Sequence, residues 1–137
     1  MPAFQFLKLY AATAAVFFAL DLIWLSVVAK GFYKAQMGHL MRADVQWVPA
    51  VLFYVIYVAA IIVLCVKPGL ERASMGRAVA MGAIFGLAAY AAFDLTSLAL
   101  LKDFPKTVAL VDLAWGTLVT ASVSGASYAI GRAMGVS

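Results

Sequence analysis

The chain has little of what a soluble enzyme works with. Charged residues make up 12% of its 137 positions and hydrophobic ones 66%, where ordinary soluble domains carry about 25% charged residues. That excludes a soluble globular domain and puts the chain in a bilayer. There is one histidine, His39, one glutamate, Glu71, and one cysteine, Cys65. Di-iron, haem and zinc sites need several such side chains, so none is expected and no cofactor is called for. Aspartate and tyrosine oxygens could hold a hard cation such as Mg²⁺ or Ca²⁺, but no spacing demands one. A lone thiol cannot form an internal disulfide, and Cys65, inside an apolar run, reads as packing. No serine stands in a nucleophile elbow, which leaves a serine hydrolase without support. Period-two alternation is also missing, and a β-barrel needs it throughout. The formal charge of +4 sits at the ends of apolar runs, where Lys and Arg meet headgroups, so no nucleic-acid partner is implied.

What is present is apolar sequence in four long stretches: Leu9 to Ala29, Val48 to Val66, Ala78 to Leu101 and Thr107 to Gly131. At about 1.5 Å rise per residue each can cross a hydrocarbon core of about 30 Å as a helix. The fold expected is all-α, an integral membrane four-transmembrane-helix bundle in a single domain over residues 1–137. The first run is read as a retained span, because it is long for a signal peptide and "VVAKGFYK" is a poor cleavage site. Pro49 falls in the first turn of span two, where a missing N–H does no damage. The connection "KDFPK" suits only adjacent antiparallel helices, and Lys67 to Arg77 is expected as the middle loop. Lys8, Lys67, Arg72, Arg77 and Arg132 on one side balance Lys30, Lys34, Arg42, Lys102 and Lys106 on the other. A tied count permits insertion either way up, so some other signal is expected to fix orientation.

Three of these stretches carry an aspartate. Asp21 lies in "AVFFALDLIWLSVVA", Asp94 in "LAAYAAFDLTSLALL" and Asp112 in "VALVDLAWGTLVTA". A carboxylate at bilayer depth costs about 2.5 to 3.5 kcal/mol on insertion scales, so three in one short chain need a reason. Counted down from Lys30, Lys102 and Lys106, they lie at roughly 13, 12 and 9 Å. Tyr54 and Tyr57 of span two fall at about 9 and 13 Å on the same rise. All four spans thus bring a polar group to one layer. Crowded carboxyl groups away from water favour the protonated form, and at least one proton is expected to be retained near neutral pH. Asp21, Asp94 and Asp112 are the candidates for handling protons. The alternative is structural, with the aspartates bonded to Tyr54, Tyr57 or backbone and locking the bundle.

Residues three or four apart share a helix face. Tyr90, Asp94 and Ser97 form one row. Trp24 sits a turn from Asp21 and Trp115 a turn from Asp112, so two spans read "DLIW" and "DLAW". These spans run antiparallel, which sets Trp24 nearer the surface than its aspartate and Trp115 nearer the midplane. The echo is weak evidence for an inverted repeat. Elsewhere Ala78, Gly82, Gly86 and Tyr90 make a ladder containing a GxxxG step, and Gly116, Thr120 and Ser124 repeat the small-residue theme on span four. Both read as surfaces for close helix packing. The loop over residues 30–47 is aromatic and basic, with Phe32, Met37, Leu40, Met41 and Trp47 beside Lys34 and Arg42. It is expected to lie on the headgroups above the aspartate layer. His39 would then titrate at the mouth, relaying protons or touching a lipid phosphate, unless it is only solvated. The candidate ligand contacts are Trp24, His39, Tyr54, Tyr57, Tyr90, Ser97 and Trp115.

The segments "LDLIWLSVVAKGFYKAQMGHLMR", "FYVIYVA", "AYAAFDLTSLALL" and "LVDLAWGT" together resemble the bacterial four-span membrane family known as domain of unknown function 2177. The resemblance runs over nearly the whole chain. It implies a multi-pass protein of the bacterial inner (cytoplasmic) membrane, with hallmark positions Asp21, Trp24, Gly31, Phe32, Tyr33, His39, Asp94, Asp112 and Trp115. It carries no activity with it, and it tilts the ligand toward a lipid. Three functions remain open. The first is an intramembrane binding or transport site handling protons with a lipid-like or small cationic ligand. The second is an enzyme modifying a lipid by aspartate acid and base chemistry. The third is an accessory subunit whose aspartates bond to a partner's helices. The partners expected are membrane lipids, with a homodimer or larger membrane complex left open.

Overall fold

The computed structural model describes residues 2–41, 44 and 46–136; Arg42, counted above among the loop-one cations, lies outside them. Four helical rods follow one another. Helix α1 (Ala3–Ile23) starts directly after Pro2 and continues as a π-helical turn over Trp24–Val28. Gly31, at φ 77°, then takes a left-handed turn that a side chain would strain, and it redirects the chain into the short α2 (Phe32–Met37). Helix α3 (Trp47–Ile61) passes through a second π-helical turn at Ile62–Val66 into α4 (Lys67–Glu71). Helices α5 (Met75–Leu100) and α6 (Lys106–Ala133) complete the chain. Four of these rods, Ala3–Val28, Trp47–Glu71, Met75–Leu100 and Lys106–Ala133, are long and apolar enough to span a membrane. No strand occurs among the described residues, so the molecule is the all-α membrane bundle expected from the sequence.

The middle loop is shorter than its composition implied. Pro68 lacks the N–H for a normal helical bond, and its ring crowds the carbonyl a turn before it. The π-helical turn at Ile62–Val66 ends just upstream of that point, and the helix runs on to Glu71. Only Arg72, Ala73 and Ser74 remain as a turn, with Ala73 left-handed at φ 48°. Ser74 then caps α5, its hydroxyl oxygen accepting from the Arg77 N–H at 3.1 Å. The other short connection keeps its expected form, with Asp103 left-handed at φ 61° and Pro105 immediately before α6.

Helix α6 is the most enclosed of the four, and its main partner is α5. Gly82 lies against Ser124 and the Thr120 carbonyl, and Gly86 against Thr120 and the Gly116 carbonyl, so a methyl group at either glycine would overlap α6. The GxxxG step is a packing surface, as its spacing implied. Hydroxyl bonds join the remaining helices to α6. Thr13 of α1 meets Ser127 at 2.7 Å, and Tyr57 of α3 meets Thr120 at 2.8 Å. Leu9, Phe17, Val58, Ile61, Ile62, Val66, Val119 and Val123 fill the space between them. This apolar packing takes up the loop-two half of the bundle; the other half is hollow.

Candidate functional site

The hollow half contains a cavity of about 380 Å³ to which every long helix and loop one contribute. Asp21 and Trp24 come from α1, Tyr54 from α3, Tyr90 and Asp94 from α5, and Asp112 and Trp115 from α6. Depth matching along the helices therefore brought the three aspartates to one place in space as well as to one level. Gly116 explains how Tyr90 arrives, because its missing side chain leaves the space that the Tyr90 ring fills.

Two of the aspartates are held by tyrosines. The Tyr54 hydroxyl donates to Asp21 Oδ2 at 3.1 Å, and the Tyr33 hydroxyl donates to Asp112 Oδ1 at 3.0 Å. Tyr33 also accepts from the Trp24 indole N–H at 3.1 Å, which makes a chain of Trp24, Tyr33 and Asp112. Trp115 stacks on Trp24, and its N–H lies close to Asp21 without closing a hydrogen bond. Asp94 differs from the other two. It is 0% exposed, and neither of its carboxyl oxygens has a hydrogen-bond partner. Its nearest acidic neighbour is Asp112.

Three of the sequence candidates stand elsewhere. Tyr57 lies a turn deeper than Tyr54 and turns inward, where it bonds Thr120 of α6 and stacks on Phe85 of α5. Ser97 is buried a turn from Asp94 and does not line the cavity. His39 is exposed, its Nε2 bonding the Asp103 carbonyl at 3.0 Å, so it fastens loop one to the turn before α6. Tyr33 is, among the described residues, the polar lining residue that the ligand candidates left out, along with the apolar Leu25, Met37, Met41, Phe93 and Val108. Loop one folds onto the bundle, with Phe32, Tyr33 and Met37 packed against Phe104, Val108 and Ala109, and Tyr33 reaches down to Asp112. Burial pushes the Tyr33 phenol above its ordinary range, and the nearby Asp112 adds to this against the opposing Trp24 hydrogen bond. Its place among the hallmark positions was the one signal in the sequence.

Among the described residues the cavity lining has acids, hydroxyls, indoles and thioethers, and no Lys, Arg or His. Among the described residues no three His, Cys, Asp or Glu side chains converge as metal ligands. The profile of a family described as "Predicted membrane protein (DUF2177)" matches residues 6–129. The chain belongs to this family. The DUF2177 match takes in most of α1, loop one, α3, α5 and most of α6, and with them every described residue that lines the cavity. No curated protein and no solved structure matches the chain.

Proposed function

We propose that the cavity is an intramembrane binding site for a non-anionic ligand rich in hydrogen-bond donors, and that binding exchanges a proton with the aspartates. The observation that carries this reading is Asp94, fully buried in the wall of a cavity with both oxygens unpartnered. Leaving such a group unmet costs about 1 to 3 kcal/mol, more when it is charged. An ammonium or hydroxyl group in the cavity would meet it. Among the described residues an anion would face three carboxyl groups with no cation in the lining to balance it. A buried charge needs a countercharge, so a cationic ligand seated beside Asp94 and Asp112 would take the place of a proton held there. The function is therefore binding or transport of a small cation or amphiphile, carried out by one domain. The membrane proposed is the bacterial inner membrane, since spans of the outer membrane are β-barrels.

Calorimetric titration of the purified protein with ethylamine, in buffers of different ionisation heat, tests the reading. Binding with net proton release is expected for the wild type, and loss of both is expected for Asp94→Asn. A wild type that binds no amine, or Asp21→Asn, Asp94→Asn and Asp112→Asn variants that all bind normally, would remove the site. The proximity of Asp94 to Asp112 also suits an acid and base pair acting on a lipid. A lipid product missing from cells that lack the gene would select that reading over transport.

A further inference from the structure

The cavity does not end at the aspartates. Asp112, Tyr90 and Phe93, which line it, also line a second hollow of about 310 Å³ that Phe53 of α3 and Ala89 of α5 complete. This groove lies between α3 and α5, which pack chiefly through Ile62–Val66 near the middle turn. Farther up they are bridged by aromatic side chains, with Tyr57 stacked on Phe85 and edge-on to Tyr90. Phe53 and Phe93 stand 45% and 57% exposed at the mouth. In a bilayer that exposure is contact with acyl chains, and Phe53, Ala89 and Phe93 make the groove's apolar wall. The way in from loop one is different, for there Tyr33, Met37 and Met41 stand over the cavity. A second apolar groove, between α1 and α3, shares only Tyr54 with the cavity and has no carboxyl group in its wall.

A polar chamber that continues into an apolar groove, with a carboxyl group at the junction, has the shape of one particular ligand class. We infer that the ligand is a single-chain amphiphile that enters sideways between α3 and α5. Its amine head meets Asp94 and Asp112, and its hydrocarbon chain lies in the groove against Phe53, Ala89 and Phe93. This rests on the binding function proposed above and adds the chain and the route. Each buried methylene contributes to affinity by leaving water, so the groove gives a dependence on chain length that the polar chamber alone would not.

The test compares ethylamine, octylamine and dodecylamine binding to the protein in phosphatidylcholine nanodiscs, read by tryptophan fluorescence in a Trp47→Phe background so that Trp24 and Trp115 report. Comparing variants in identical discs cancels partition of the amine into lipid. The expected result is that Ala89→Phe, which fills the groove, reduces the preference for dodecylamine over ethylamine at least tenfold while ethylamine binding is unchanged. Should Ala89→Phe lose both responses, Phe53→Ala decides, because it removes a groove wall and adds no bulk: a tenfold smaller preference supports the groove, and an unchanged one overturns it. A chain-length preference that is the same in wild type and both variants also overturns the inference and leaves the amine site standing. Failure of the wild type to bind any of the three amines removes the binding function itself, and the inference with it.

Discussion

Trp24 and Trp115 lie face to face, ring centroids 4.5 Å apart and planes 7° from parallel. Each follows an aspartate by one helical turn, and α1 and α6 run in opposite directions. At about 1.5 Å rise per residue, Trp24 then comes level with Asp112 and Trp115 level with Asp21. Each indole serves the other helix's acid, Trp24 through Tyr33 and Trp115 directly beside Asp21. The echo of "DLIW" in "DLAW" thus corresponds to a local two-fold arrangement around the stacked rings. A stacked aromatic pair contributes about 0.5 to 1.5 kcal/mol beyond area burial. A double-mutant cycle of Trp24→Ala and Trp115→Ala, followed by unfolding in mixed micelles, should show a coupling of that size. Additive losses would mean that the rings are neighbours without an energetic link.

Asp94 should be a residue that binding needs and stability does not. Its oxygens are buried without partners, so Asp94→Leu removes an unmet polar group and keeps the branched shape. The expected gain is about 1 to 3 kcal/mol in unfolding free energy, accompanied by loss of amine binding. Asp112→Leu should behave in the opposite sense for stability, because it strips the Tyr33 hydroxyl of its acceptor. Unfolding curves of the two variants side by side check the contrast. Destabilisation by Asp94→Leu as large as that by Asp112→Leu would point to a structural Asp94.

The sequence was most legible where one physical quantity decides the answer. Apolar length sets a span, so the four rods follow from composition, and rise per residue sets depth, so Asp21, Asp94 and Asp112 could be placed at one level. Depth says nothing of the direction in which a side chain turns. Tyr54 and Tyr57 both reach the layer, yet packing turns Tyr54 to Asp21 and Tyr57 to Thr120. Ser97 shares the row of Asp94 but lies beyond the cavity. Tyr33 was hidden for a further reason. Its position depends on the left-handed turn at Gly31 and on loop one folding back onto Phe104 and Val108, and no periodicity records such a tertiary contact. At the middle turn, Lys67 to Arg77 reads as loop by composition, but the widened turn before Pro68 lets the helix run on to Glu71.

Tyr33 predicts an alkaline weakness in the docking of loop one. Burial holds its phenol neutral above the ordinary tyrosine value of about 10. Below that value the folded and unfolded states are both protonated, and the stabilisation from the neutral Tyr33 is fully present. Above it the unfolded chain loses its proton first, so the contribution falls as pH rises toward the folded value. Tyr33→Phe cannot lose that proton. The wild type should therefore be the more stable of the two near pH 7, by about 0.5 to 1.5 kcal/mol for the hydrogen bond to Asp112. The difference should shrink between pH 10 and 11. Parallel curves over that interval would mean that Tyr33 titrates as an exposed phenol.

Gly116 predicts a coupling between packing and the site. A Cβ placed there would overlap the Tyr90 ring, and that ring forms part of the cavity wall. Gly116→Ala should therefore cost about 1 to 3 kcal/mol, as overpacking in a tight interior does, and it should weaken amine binding by displacing Tyr90. Tyr90→Leu in the same chain removes the ring that the new methyl group strikes. The double variant should then recover most of the stability lost by Gly116→Ala, while binding stays weak because the phenol is gone. Gly86→Ala supplies the control, since its methyl group would meet the Gly116 carbonyl and Thr120 rather than Tyr90. Tyr90→Leu should leave the Gly86→Ala defect in place. Equal rescue of both glycine variants would show that Tyr90→Leu loosens the α5 and α6 interface in general, and Gly116 would lose its assigned part in seating Tyr90.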